Sequence, residues 1–491
     1  MAETGSGGWP GGLYKPLTPG QVERVHEASL DILERIGFTY ETGLDETLEM
    51  LVKSGAFLDR DRARVFLPRD LVRERISHAP EKIVLYSRDG RADLELAKDK
   101  VYMGTGGLAV AVLDLETGEA RPSLLKDLYD IGRLVQRLNH IHFFMRTSTA
   151  FDVPPEIHDV NCMYASLLAT TKHYMAGCSS MEALQDLFDM CSIAAGGWER
   201  YVQRPFYSVT SCFAISPLKL CTLSTQILKE ACRQGVPVVL SSAPMAGSTA
   251  PLTLAGTLAL VHAEEMMGLT IGQTVRPGAP QIYGGIPGAA NLQSMDYEGG
   301  AIECGMMNAA IHQLSAHIRV PNYNSSGITD SKIPDGQACW EKAFTTLLAA
   351  MAGSNYIHHA AGMLESMRTV AFEQYVIDDE IMGMTARVLK GIKVDDEHLG
   401  LDAIEAVGPG GNFLVSPHTT RHLRTEFFQG NGVTDRKNRA RWEERGASDA
   451  RDRARQIVRK ILGEKPQPCL SEEADRRIRD RFDIRFPVST G

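Results

Sequence analysis

The chain has 491 residues and a formal net charge of −9, so it lacks the basic surplus that nucleic-acid or anionic-membrane binding draws on. Hydrophobic residues make up 43% and charged residues 23%, an ordinary globular balance with material for a large core. Its nine cysteines include no Cys-x-x-Cys pair, and they read as reduced, buried thiols of a cytoplasmic protein.

Residues 1–18 are Gly-rich and read as a flexible arm without a secretory signal. Residues 19–95 carry helical spacing, as in Val22, Leu30, Ile32, Leu33 and Ile36, and a short strand-like run at 83–86. We read 1–95 as an arm and helical extension. From there the rhythm changes. Candidate strands lie at 101–113, 141–148, 173–179, 206–215, 236–241, 281–284, 320–325 and 356–361. Helix-like stretches follow most of them, at 218–234, 252–267, 303–317 and 337–352. In the third of these, Met306, Met307, Ala310, Ile311 and Leu314 recur at helical spacing.

Alternating strands and helices predict an α/β fold, a (β/α)8 TIM barrel over 96–400, with helical N- and C-terminal extensions. An open doubly wound sheet is the alternative. The extension at 401–491 is charged, and Arg451, Arg453 and Arg455 among acids read as a solvated helix face. The longest apolar stretch is broken by His262, Glu264 and Glu265, so no membrane span is expected.

In such a barrel the chemistry gathers at the strand C-terminal ends. These carry Tyr102 with Gly104-Thr105-Gly106-Gly107, then Tyr283-Gly284-Gly285, then the run from Asn322 to Lys332, then Tyr356, His358, His359 and Glu365. The Gly-Thr-Gly-Gly run reads as a strand turn rather than a phosphate cradle. His358 and His359 are adjacent, which on a regular strand sends them to opposite faces. No metal-ligand spacing is evident, and none is expected. The residues alone lead to a barrel enzyme with an aromatic and polar mouth.

The run from Pro244 to Thr257, together with Tyr283-Gly284-Gly285, the run from Asp330 to Gln337, the run from Ala361 to Ser366, and Asn412-Phe413-Leu414 with His418-Thr419, resembles the trimethylamine methyltransferase family over roughly residues 20–465. The resemblance implies a (β/α)8 barrel that moves a methyl group from a methylated amine to a Co(I) corrinoid on a separate small protein. Archaeal trimethylamine enzymes of that family carry pyrrolysine near the end of strand seven. This chain has standard residues from Asn322 to Gln337, and so resembles the non-pyrrolysine branch, which includes glycine betaine methyltransferases. Asp396-Glu397-His398-Leu399-Gly400 falls one residue short of the Asp-x-His-x-x-Gly motif that ligates a corrinoid. It reads as a charged interhelical loop, and the cofactor is expected on a cognate corrinoid protein.

A quaternary ammonium suits a site without acid or metal, because a neutral tertiary amine leaves when the methyl carbon is attacked. Its cation calls for aromatic faces, for which Tyr102, Tyr283 and Tyr356 are candidates, each with a structural role in the barrel wall as the alternative. Asn324, Lys332 and His358 are candidate partners for a betaine carboxylate. Lys332 has a surface pairing with Asp330 or Asp335 as its alternative. Glu365 and Asp330 are the candidate catalytic carboxylates, Glu365 as a counter-charge or simply a helix cap. Two other readings stay open: a non-catalytic betaine-binding protein, and a methyltransferase for another methylated amine. A homo-oligomer is expected.

Overall fold

The computed structural model describes residues 8–487. Eight parallel strands form the centre: β1 (Lys100–Thr105), β2 (Phe143–Met145), β3 (His173–Ala176), β4 (Tyr207–Ser211), β5 (Val238–Leu240), β6 (Gln281–Ile282), β7 (Tyr323–Ser325) and β8 (Tyr356–Ala361). Neighbours in sequence pair in order, and β8 returns to β1 in the register Tyr356↔Tyr102. A parallel bridge, Tyr283↔Asn322, closes β6 on β7. The sheet is thus a closed barrel and not an open doubly wound sheet.

A helix follows each strand: α1 (Leu125–Arg137), α2 (His158–Ala169), α3 (Met181–Ala195), α4 (Thr222–Gln234), α5 (Leu254–Val275), α6 (Ile302–His317), α7 (Gly336–Ala352) and α8 (Phe372–Leu389). Local chemistry sets their ends. Ser180 and Asp335 accept the N–H groups of Ala183 and Ala338 as N-caps of α3 and α7. Gly196 and Gly353 end those helices in the left-handed conformation. Helix α5 is apolar on nearly every face and buried along most of its length, because the N-terminal extension covers its outer side. There Ser29 Oγ donates to the Ala259 carbonyl at 2.8 Å.

Two cores result. One fills the layer between strands and helices. The other lies inside the barrel, where Tyr102, Phe143, Met145, Met175, Val239, Ile282, Tyr323 and Tyr356 meet Ile83, Leu85, Leu94 and Leu96. The last four belong to a hairpin, Ile83–Leu85 with Leu94–Leu96, that plugs the N-terminal end of the strands. The run expected as one strand at 101–113 splits, its second part being the rim strand Ala111–Leu113. The break comes at Gly106, where a Cβ would lie 2.0 Å from the His359 ring.

The extensions are fastened more firmly than expected. From residue 8 the arm is no loose tail: Trp9 pairs with Val101, and the Leu13 N–H donates to the Met351 carbonyl at 2.6 Å. Residues 1–7 of the expected arm lie outside the described residues. Arg451 and Arg455 do not form a solvated face. Both reach the buried Glu373, at 3.2 and 2.9 Å, while Arg453 Nε donates to the Val433 carbonyl at 2.7 Å. Among the described residues no helix is long and apolar enough to cross a membrane.

Candidate active site

The hairpin plugs one end of the barrel, and the strand-to-helix loops surround the other, at the C-terminal ends of the strands. Inside, the inward positions stack in layers. Tyr356 lies against Phe143 with ring centroids 3.8 Å apart. Two residues further along β8, His358 faces Tyr323 at 4.2 Å. The Tyr323 hydroxyl lies 3.3 Å from His358 Nδ1, and Met145 Sδ lies 3.4 Å from the same nitrogen. A Cβ on Gly284 would come within 2.5 Å of the Tyr323 ring, so the glycine after β6 makes room for it. The Ser241 hydroxyl sits beside both Tyr323 and Cys212. Cys212 keeps an exposed surface although burial raises its thiol pKa, which places it on the wall of a concave well. The expectation that every cysteine is buried fails there.

The regular alternation of β8 also fails. His359 has φ +61° and the β8–β1 register shifts after Ile357. The two imidazoles therefore lie against each other, with centroids 3.7 Å apart and planes tilted by 39°. Ser325 Oγ and the Gly107 carbonyl hold His359 at 2.7 and 3.0 Å. His358 Nε2, Tyr356 Oη and Thr210 Oγ1 are buried and without a hydrogen-bond partner. Burial, reinforced by the His359 ring, holds His358 well below its ordinary pKa. His359 is pushed down to about 4 by burial. Burial raises Tyr323 well above its ordinary value. The well is thus lined by neutral, polarisable groups at pH 7. Behind it, Glu265 on α5 accepts the Gly284 N–H at 2.8 Å, and burial pushes its pKa up to about 8.

The structure scatters the residues singled out from sequence. Tyr102 lies at the plugged end, where its hydroxyl accepts the Glu95 N–H at 3.1 Å. It stands at the start of β1 and so cannot reach the mouth. Tyr283 points outward and meets His262 Nδ1 at 2.8 Å. Asn324 also points outward, its Nδ2 3.1 Å from the Asn308 carbonyl. Lys332 is exposed and donates to the Asp330 carbonyl at 2.8 Å. Asp330 accepts the Gly299 and Gly300 N–H groups at 3.0 and 3.2 Å, together with the Ser366 hydroxyl. Its carboxylate thus fastens the loops after β6, β7 and β8 to one another. Glu365 accepts from Thr369 Oγ1 at 2.5 Å, at the edge of an open rim pocket of about 510 Å³. That pocket lies outside the barrel axis. Of the named set, His358 alone lines the interior beneath the mouth; Tyr356 also points inward, but it begins β8 at the level of Tyr102.

The sequence places Tyr323 and Cys212 at strand ends but gives them no role, and it does not single out Met145 or Ser241. Strand phase is the signal that finds them: Tyr323 pairs in register with the inward Tyr356. Below the loops a buried ion pair, Lys342–Asp378 at 3.3 Å, braces the mouth. Lys342 donates to the Gly327 and Met363 carbonyls, and Asp378 accepts the Gly362 N–H at 2.7 Å. Around the opening, Leu108, Val110, Ile215, Leu252, Leu292, Met295 and Ile333 are exposed.

Residues 10–486 match the family model described as "Trimethylamine methyltransferase (MTTB)". A glycine betaine methyltransferase of Desulfitobacterium hafniense strain Y51 is 30% identical over 466 residues, covering 95% of this chain and 96% of that one. A trimethylamine methyltransferase MttB of D. hafniense strain DSM 10664 / DCB-2 is 32% identical, covering 89% and 87%. One from Methanosarcina thermophila is 30% identical, covering 91% and 92%.

Proposed function

Since the chain belongs to the trimethylamine methyltransferase family, we propose that it is a methyltransferase acting on a methylated amine, with a quaternary amine such as a betaine as the methyl donor. The observation that carries the choice is the neutral well. A permanent cation needs no base to bind, and it finds there the face of Tyr323, with the soft sulfur of Met145 alongside. With the Tyr323 hydroxyl donating to Nδ1, His358 presents an unpaired Nε2–H. That donor suits a substrate carboxylate.

The acceptor is a Co(I) corrinoid on a partner protein, which supplies a nucleophile for the methyl carbon. The apolar rim around the mouth fits the docking of that partner. This chain's part is to hold the ammonium with one methyl facing the opening and to keep water out of the well. No proton is required at nitrogen, because the departing amine is neutral. His358 and Tyr323 therefore keep their protons throughout, and catalysis rests on orientation and on a site that tolerates loss of positive charge.

The test is methyl transfer to free Co(I) cobalamin, run across a panel of quaternary and tertiary amines. Turnover with one or more betaines is expected. Turnover confined to tertiary amines would overturn the substrate class, and tight betaine binding without turnover would favour a binding protein.

A further inference from the structure

Two sequence features that the proposed activity leaves unused converge in space. Asp396–Leu399 forms a short helix, where a loop was expected, and Pro417–His422 forms another. His418 and His422 are four residues apart and so share a face of the second helix. One ligand atom from each of Glu397, His418 and His422 lies within 4.8 Å of the other two. The rings of His418 and His422 are 4.5 Å apart, and His398 stands beside His422 at 5.0 Å. Gly400 has φ +64°, and a Cβ there would sit 3.1 Å from His418 Nε2, so the first helix ends in a way that lets the imidazole approach.

The surroundings give this cluster a task. Helix α8 runs back from the mouth to the plugged end, where Lys390 lies 5.0 Å over the Trp9 ring. Beyond it, the chain from 391 to 422 has only one buried residue, Ser416. Ile392, Val394, Leu401, Leu414 and Val415 are all exposed. A segment without an apolar core needs another cross-link to hold one shape, and metal ions commonly provide it.

We propose that Glu397, His418 and His422 form a divalent-cation site of the zinc class that pins this segment beyond the end of α8, remote from the barrel mouth. Two imidazoles, one carboxylate and a water complete a tetrahedral set. The sequence had led us to expect no metal on this chain. Glu397 Oε1 now accepts from His422 Nε2 at 3.1 Å and from Arg421 Nε at 3.0 Å. Binding takes the place of the His422–Glu397 hydrogen bond and of the one between His418 Nε2 and the Glu397 carbonyl, 3.0 Å apart.

The experiment uses the full chain, stripped with a chelator and titrated with Zn²⁺ by equilibrium dialysis. One zinc per chain is expected, with H418A/H422A losing that equivalent and E397Q weakening it at least tenfold. Cys alkylation should leave the stoichiometry unchanged. Because the double variant alone could loosen the segment, Co²⁺ is bound to the intact protein as well. Visible d–d bands of a nitrogen and oxygen site, without thiolate charge transfer, are expected. Equal zinc in wild type and H418A/H422A, thiolate bands with Co²⁺, or no zinc bound at all would each overturn the proposal.

Discussion

At the plugged end of the barrel, Tyr102 gives its ring to Leu94, Leu96 and their hairpin and its hydroxyl to the Glu95 N–H. Towards the open end, Tyr323 faces His358 with ring centroids 4.2 Å apart, and His358 Nε2 has no partner. The same residue types thus serve opposite purposes. A buried polar atom without a partner costs stability, and at one end this cost has been removed, at the other retained. Aromatic content therefore does not mark a binding site. The unpartnered His358 Nε2 is what sets the second end apart from the first.

The largest test of that contrast removes the plugged ring. Tyr102→Ala should cost about 3–5 kcal/mol of stability by leaving a cavity, while the folded fraction keeps its kcat and KM. Thermal unfolding with kinetics on the same sample checks it, and a changed KM would erase the distinction between the ends. At the mouth the order inverts. Tyr323→Ala and His358→Ala should each lower kcat/KM by roughly 30-fold, equivalent to about 2 kcal/mol of lost cation and carboxylate recognition. Steady-state assays with the best donor from the amine panel decide this.

A pH-dependent effect follows from Glu265, whose pKa is raised to about 8. Between the unfolded value and pH 8 the folded state holds a proton that the unfolded state has lost. Stability from this group is full at low pH and declines as pH rises across that window. Glu265→Gln should abolish the decline, so the variant gains about 1.4 kcal/mol per pH unit over wild type between pH 5 and pH 8. Denaturant titrations at several pH values measure it, and parallel curves would refute it. The smallest effect is expected at Lys332, exposed at the rim. Lys332→Ala should change both stability and kcat/KM by less than about 0.5 kcal/mol.

The eight strands were legible because short β-branched and aromatic runs, such as Val238–Leu240, alternate with longer helical periods. What lay beyond reach was phase. Tyr323 and Asn324 are neighbours, and only the pairing with Tyr356 says which of them faces inward. The bulge at His359 then breaks the period on which any such reading relies. Tyr102 was misplaced along the barrel axis for a related reason, since sequence alone does not reveal the hairpin that seals its end. The Arg451 and Arg455 face looked solvated because their buried partner, Glu373, lies far off in the chain.

The hairpin at Ile83–Leu85 and Leu94–Leu96 is synthesised before any strand it will plug. Its final neighbours include Tyr323 and Tyr356, and the sheet cannot close until β8 reaches β1. During synthesis the apolar hairpin therefore waits without its partners while most of the barrel is still being made. Closure by so distant a pairing is slow. Waiting apolar surface of this kind is what holding chaperones bind, and what aggregates when they are scarce. Yield from an overexpressing cell should accordingly rise with chaperone supply and with slower translation of the barrel.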